Sequence, residues 1–342
     1  MRLTINDIHW SDISKNRSQL MGLAILFVLL FHVGLPREDA FWGLRRIGNI
    51  GVDIFLFLSG IGLWFSWTKT PNLLKFYSRR FLRIYPVWLI LSMAYYIPDY
   101  LSPNLVQHKG NSTSLIDMIG DITINWGFWQ NGELTFWYIP AIMSLYLLSP
   151  FYMKLILNYP TYRWLAIVMV IWCILVELVT PINSILGHLE IFWSRIPIFF
   201  IGINIGNLVK RKETIAGSSI WIILILFFMT LGSSIFIEQE RHGQFPLFLE
   251  RMLYIPLTVS TILLLNILFT VIPKFVNKVL VFIGTLSLEM YLIHLHFVLI
   301  YIEPLHLNYW STFVITLFIT LPIAWIVHKV IQLCISLIRH IL

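Results

Sequence analysis

The sequence predicts an all-α polytopic integral membrane protein of about ten transmembrane helices, with both termini cytoplasmic. Three observations carry that prediction. Of 342 residues, 58% are hydrophobic and only 12% charged, with a mean hydropathy of +0.79, whereas soluble domains carry about 25% charged residues. Apolar runs recur at the length that crosses ~30 Å of hydrocarbon, where a spanning segment must satisfy its own backbone. The basic residues fall in the short connections and sort unevenly between alternate ones. That sorting accounts for the formal net charge of +7, so no nucleic-acid partner is expected.

The spans are read at about 19–35, 48–68, 86–103, 136–157, 163–182, 191–209, 218–237, 252–271, 279–301 and 309–336, as a single transmembrane domain over residues 1–342. Counting Lys and Arg by alternate connection puts seventeen on the side of the termini and seven on the other, out of 24 in all. That places the termini in the cytoplasm. Most carboxylates fall on the opposite side, among them Glu38, Asp39, Asp99, Asp117, Asp121, Glu133, Glu238, Glu240 and Glu250. Met1 to Asn16 is polar and leads into a full span, so a cleavable leader is not expected. Cys173 and Cys334 both fall inside spans and indicate neither a disulfide nor a metal site.

The first span, Arg17 to His32, carries no charge between Gln19 and Phe31. His32 lies roughly 22 Å along the helix from Arg17 and about 60° from it around the axis. A guanidinium at one face and an imidazole near the other suggest a path; the plainer reading makes Arg17 a topology signal and His32 an interface marker. Span two contains Gly51-Val-Asp53-Ile-Phe, with Asp53 one turn inside its outer end. His32 and Asp53 are therefore expected at similar depth. An imidazole beside a carboxylate is how a general base is oriented, although such a pair can also merely join two helices.

Between spans two and three, Arg79, Arg80 and Arg83 are expected on one helical face, with Phe76, Phe81 and Ile84 available to the interface. Arginine clusters suit phosphate; ordinary positive-inside charge or binding of membrane lipid headgroups is the competing reading. The longest connection, 104–135, is expected outside, with turns at Pro103-Asn104 and Gly110-Asn111-Ser112, and Asn111-Ser-Thr is a formal glycosylation acceptor. No internal repeat is evident, which argues against an inverted-repeat transporter.

Span nine holds two polar stripes, Ser287, Tyr291 and His294 at one phase and Glu289 and His296 at another. Polar stripes can be interhelical glue, but a carboxylate with two imidazoles asks for chemistry. Arg45, Arg46, Trp137, Tyr138, Arg195 and Arg251 mark the outer ends of other spans. Most of the tryptophans are read as the interfacial belt, whereas Arg45 and Arg46 stand against the positive-inside trend beside the His32 helix.

These residues together resemble the acyltransferase 3 family, bacterial membrane proteins of about ten spans that transfer acyl groups, mostly acetyl, to sugars of the cell surface. Gly22 to His32 is similar to the family's first span, and Gly51 to Gly60 to its Gly-Val-Asp-x-Phe-Phe-x-Leu-Ser-Gly. Arg80-Phe-Leu-Arg83-Ile-Tyr-Pro86 matches Arg-x-x-Arg-Ile-x-Pro, and Ser287 to His294 matches Ser-x-x-x-Tyr-Leu-x-His. Phe136-Trp-Tyr-Ile-Pro140 and Arg195 to Gly202 sit where that family has comparable segments. Two departures stand out: Met21 occupies the place of the family's usual first-span arginine, with Arg17 one turn earlier, and the extracytoplasmic hydrolase-like domain of larger members is not expected here.

The resemblance implies a bacterial cytoplasmic membrane protein using acetyl-CoA as donor, a surface glycan as acceptor and no metal. Arg17, Arg79, Arg80 and Arg83 would hold the CoA phosphates. His32, oriented by Asp53, would deprotonate the acceptor hydroxyl or briefly carry the acetyl group. Arg45, Arg46, Trp137, Tyr138, Arg195, Glu289, Tyr291 and His294 would line the acceptor side. A glycan or lipid-linked sugar exporter is the alternative, and a permease or sensor a third. The acceptor sugar, the acyl length and the oligomeric state, a homo-oligomer included, are left open.

Overall fold

A computed structural model describes residues 7–102 and 114–341, with side chains as far as Ser336. The turns at Pro103-Asn104 and 110–112 and the Asn111 acceptor lie outside the described residues. The protein is 85% helical. Its one strand pairing among the described residues joins Ile8–His9 antiparallel to Thr214–Ile215. Among the described residues, eight helices are long and apolar enough to cross a membrane. A further pair, Thr180–Trp193 and Ile196–Arg211, passes that test together but bends by 46° at its break, and Arg17–His32 is a shorter apolar helix. Against the expected ten or so spans, the described residues thus give eight, or nine if the bent pair is one span.

The helices used below are α1 (Arg17–His32), α2 (Trp42–Ile47), α3 (Ile50–Lys69), α4 (Leu73–Leu101), α5 (Leu115–Ile124), α6 (Trp126–Asn131) and α7 (Tyr138–Asn158). They continue as α8 (Leu165–Leu178), α9 (Ile196–Arg211), α10 (Ile220–Arg241), α11 (Leu247–Val271), α12 (Lys274–Thr285), α13 (Ser287–Ile293) and α14 (Tyr309–Ile341). Their contacts group into two compact units. One comprises the chain up to Phe31, Leu35–Pro71 and Ser149–Thr285; the other comprises His32–Gly34, Asn72–Leu148 and Leu286–Leu342.

In the first unit, α3 and α9 make the densest pairing, and glycine permits it. A methyl group at Gly202 would strike the Phe57 carbonyl, and one at Gly60 the Phe199 carbonyl. Small residues at a helix crossing let two backbones approach closely where water offers no hydrophobic drive. Gly22 of α1 and Gly284 of α12 meet in the same way, against the carbonyls of Leu280 and Ser18.

Two expected boundaries move. Pro86 was expected to open the third span, yet α4 runs unbroken from Leu73 through Pro86 and Pro98. Its start is set by Asn72, whose side chain accepts from the Lys75 N–H at 2.9 Å, an Asx cap. The arginine cluster and the span thus belong to one helix. Span nine, expected whole over 279–301, breaks at Leu286 (φ −100°, ψ 6°), where α12 ends and α13 begins.

In the second unit, α13 packs against α4 and α14 and passes into a π turn at His294–Leu299. A π turn inserts one residue per turn and frequently marks a functional site.

Candidate active site

The second unit holds the polar groups that the first and ninth spans were expected to supply. His32 closes α1, and His294 opens the π turn, buried at 1% exposure. The two rings meet edge to face, with centroids 4.9 Å apart and planes at 62°. His294 Nε2 lies 3.2 Å from His32 Nδ1, and His294 Nδ1 lies 2.8 Å from the Met290 carbonyl oxygen. Tyr291 extends the cluster, its ring 6.1 Å from that of His294 and 5.2 Å from that of Tyr138 at the head of α7.

The segment that delivers Trp137 and Tyr138 is built by local hydrogen bonds. Asn125 accepts from the Tyr96 hydroxyl at 3.1 Å and donates to the Thr135 carbonyl at 2.6 Å, while Asp121 accepts from the Gly127 N–H at 2.7 Å. Phe136 then enters α7 with φ at +53°, a region that a bulky residue occupies only when its surroundings impose it. The imposing contacts are rings: Phe136 is buried against Trp88, Tyr95 and His296.

The second expected stripe takes another form. The π turn changes the helical phase after Ile293, so His296 lies against Phe136 and Tyr95 while Glu289 binds His328 of α14, Nδ1 to Oε1 at 2.7 Å. His328 was not singled out in the sequence; its only signal there was an imidazole inside an apolar span.

The arginines of α4 divide rather than share one environment. Arg79 and Arg83 are exposed, whereas Arg80 is half-buried, its guanidinium 5.5 Å from the Phe76 ring and 5.9 Å from Tyr146. Two exposed guanidiniums beside a ring-braced one can receive phosphate oxygens.

In the first unit, the carboxylate expected to serve His32 is engaged by an arginine. Asp53 Oδ2 lies 3.6 Å from Arg195 Nε, with both side chains almost fully buried. Arg195 also donates to Asn49 Oδ1 at 3.0 Å and to the Ile191 carbonyl at 3.1 Å. In the same unit, Tyr254 donates to Glu250, which also faces Arg251 at 3.9 Å. Arg46 meets Glu238 of α10 at 3.2 Å, and Arg45 and Arg46 both stand over the Phe31 and Trp42 rings. Arg17 packs its guanidinium on Gly62, where any side chain would collide with it. Arg163, read in the sequence only as a topology charge, stands over the Trp64 ring at 5.8 Å. Among the described residues, no three of His, Cys, Asp and Glu gather as a metal ion would require.

A family model described as an acyltransferase domain matches residues 20–329. The regulator of hypoxia-inducible factor 1 from Caenorhabditis elegans is 27% identical over 168 residues, which cover 40% of this chain and 34% of that protein. The chain thus spans about a third of the length of this relative. No solved structure matches.

Proposed function

Because this chain belongs to the acyltransferase 3 family, and so is a multi-pass membrane acyltransferase, we propose that it moves an acetyl group from acetyl-CoA to a hydroxyl of a surface glycan. The donor is bound on the cytoplasmic side and the acceptor on the outer side of a bacterial membrane. The observation that carries this reading is the His32–His294 pair, two imidazoles in ring contact beside Tyr291 and Tyr138. Nothing in helix packing alone calls for two imidazoles there, since Ser, Thr or Asn join helices at lower desolvation cost.

His32 is the general base. It takes the acceptor hydroxyl proton as the oxygen attacks the thioester carbonyl, and returns that proton to the departing CoA thiolate. One O–H and one C–S bond break; one C–O and one S–H bond form. Imidazole suits both halves of this exchange because its pKa lies near the working pH. Arg79, Arg80 and Arg83 hold donor phosphates. Tyr138, Tyr291 and Trp137 offer aromatic faces to a sugar. Asp53 enters through Arg195, whose guanidinium it holds; Arg45 and Arg46 brace the α2–α10 contact through Trp42 and Glu238.

The test pairs activity with stability. His32→Ala protein is expected to melt close to the native protein in detergent and to release no thiol from acetyl-CoA. Turnover by folded His32→Ala protein would overturn the mechanism. Glycan export without thiol release would replace it with a transport reading.

A further inference from the structure

Resting on the reading of His32 as the base, we propose that His294 is a positioning residue that sets the tautomer of His32, and so decides which ring nitrogen meets the acceptor hydroxyl. Two hydrogen bonds make the argument. The Met290 carbonyl can only accept, so His294 Nδ1, at 2.8 Å, carries the proton. In a neutral imidazole the other nitrogen then holds a lone pair. That lone pair, on His294 Nε2, stands 3.2 Å from His32 Nδ1, which must therefore be the donor. With Nδ1 protonated, the basic lone pair of His32 is on Nε2. A backbone carbonyl thus dictates, through two rings, the atom at which His32 takes a proton.

The fold keeps this chain of bonds in one direction. The Met290 carbonyl receives both the backbone N–H and the ring Nδ1–H of His294, one for each lone pair. His294 is buried at the head of the π turn, where water cannot offer its ring another partner. Reversing the His32 ring protons would bring two lone pairs face to face. When His32 Nε2 takes the acceptor proton, its Nδ1–H still points at His294 Nε2, now as a charge-assisted donor. The same contact that selects the tautomer therefore also stabilises the imidazolium.

Glutamine and asparagine separate this role from mere packing. Glutamine places an amide oxygen near the former Nε2 position, facing His32; asparagine places its amide near the former Nδ1 position, facing Met290. Activity is read per folded molecule as thiol release from acetyl-CoA, with cell-envelope glycan extract as acceptor. His294→Leu and His294→Asn are expected to lose about a hundredfold or more in kcat, with the KM for acetyl-CoA unchanged, as loss of base orientation does elsewhere. His294→Gln is expected to stay within about tenfold of the native protein. Asparagine retaining activity while glutamine loses it would make His294 an anchor for its own turn and overturn the proposal, as would full activity in His294→Leu.

A second measurement needs neither acceptor nor variant folding. Nitrogen-15 NMR of labelled histidine in the native protein, with the His32 signals assigned, is expected to show Nδ1 protonated and Nε2 bare. The opposite tautomer overturns the proposal. The two levels of inference fail differently: turnover by His32→Ala removes the base reading itself, whereas an inactive His32→Ala beside a fully active His294→Leu removes only the role of His294.

Discussion

Replacing Arg195 by Leu removes a guanidinium that is 1% exposed and 3.6 Å from an equally buried Asp53. Leaving one member of a buried pair behind costs about 3–5 kcal/mol, because the remaining charge has been taken from water without compensation. The lost donations to Asn49 and Ile191 would each be worth about 1 kcal/mol alone. They share the same guanidinium and do not add fully, so the expected loss is about 4–5 kcal/mol. Asp53→Asn keeps the shape and leaves Arg195 its Asn49 and Ile191 acceptors, so its cost is smaller, about 1–3 kcal/mol. The double variant Asp53→Asn/Arg195→Leu no longer strands a carboxylate. It should therefore be more stable than the sum of the single effects predicts, by about 2 kcal/mol. The assay is reversible unfolding in mixed detergent micelles, with SDS as denaturant, for the native protein and all three variants. Additivity within about 0.5 kcal/mol would refute the reasoning, since it would mean that Asp53 and Arg195 do not sense each other's charge.

Two further outcomes are expected. Arg80→Ala and Arg83→Ala should raise the KM for acetyl-CoA by about 10- to 100-fold, the equivalent of one charged contact at roughly 1.5–3 kcal/mol. The Lys variants should recover only part, because a point charge replaces a fork; unchanged donor dependence in both Ala variants would leave these residues as topology charges. For orientation, single cysteines at the exposed Glu213 and Gln130, in a background lacking Cys173 and Cys334, should react oppositely with an impermeant thiol reagent. Gln130→Cys should label in intact cells and Glu213→Cys only after permeabilisation; the reverse pattern would invert the topology.

The helical class and most of the spans were legible in the sequence because hydrocarbon permits so few solutions. A run such as Ile220–Leu231 has no partner for its backbone other than itself, and composition alone says so. Arg80, Arg83, His32 and His294 could be picked out for the same reason: an ionisable group in or beside an apolar run is expensive and demands a use. What the sequence could not provide was which of these groups are partners. Spacing on an ideal helix placed Glu289 with His296, but a π turn at His294 shifts the phase, and Glu289 binds His328 from a helix that begins twenty residues later. The break at Leu286 was equally hidden, since hydropathy runs on across it.

Asp53 shows this clearly. Depth along two helices makes it a candidate companion for His32, and only tertiary packing reveals that it also faces Arg195, a residue 142 positions away at the bend before α9. Polarity and period are local properties that one strand of text carries. Pairing depends on the rotation of each helix about its axis, which is set by where glycines such as Gly60 and Gly202 let backbones meet, and that is decided only when the helices pack.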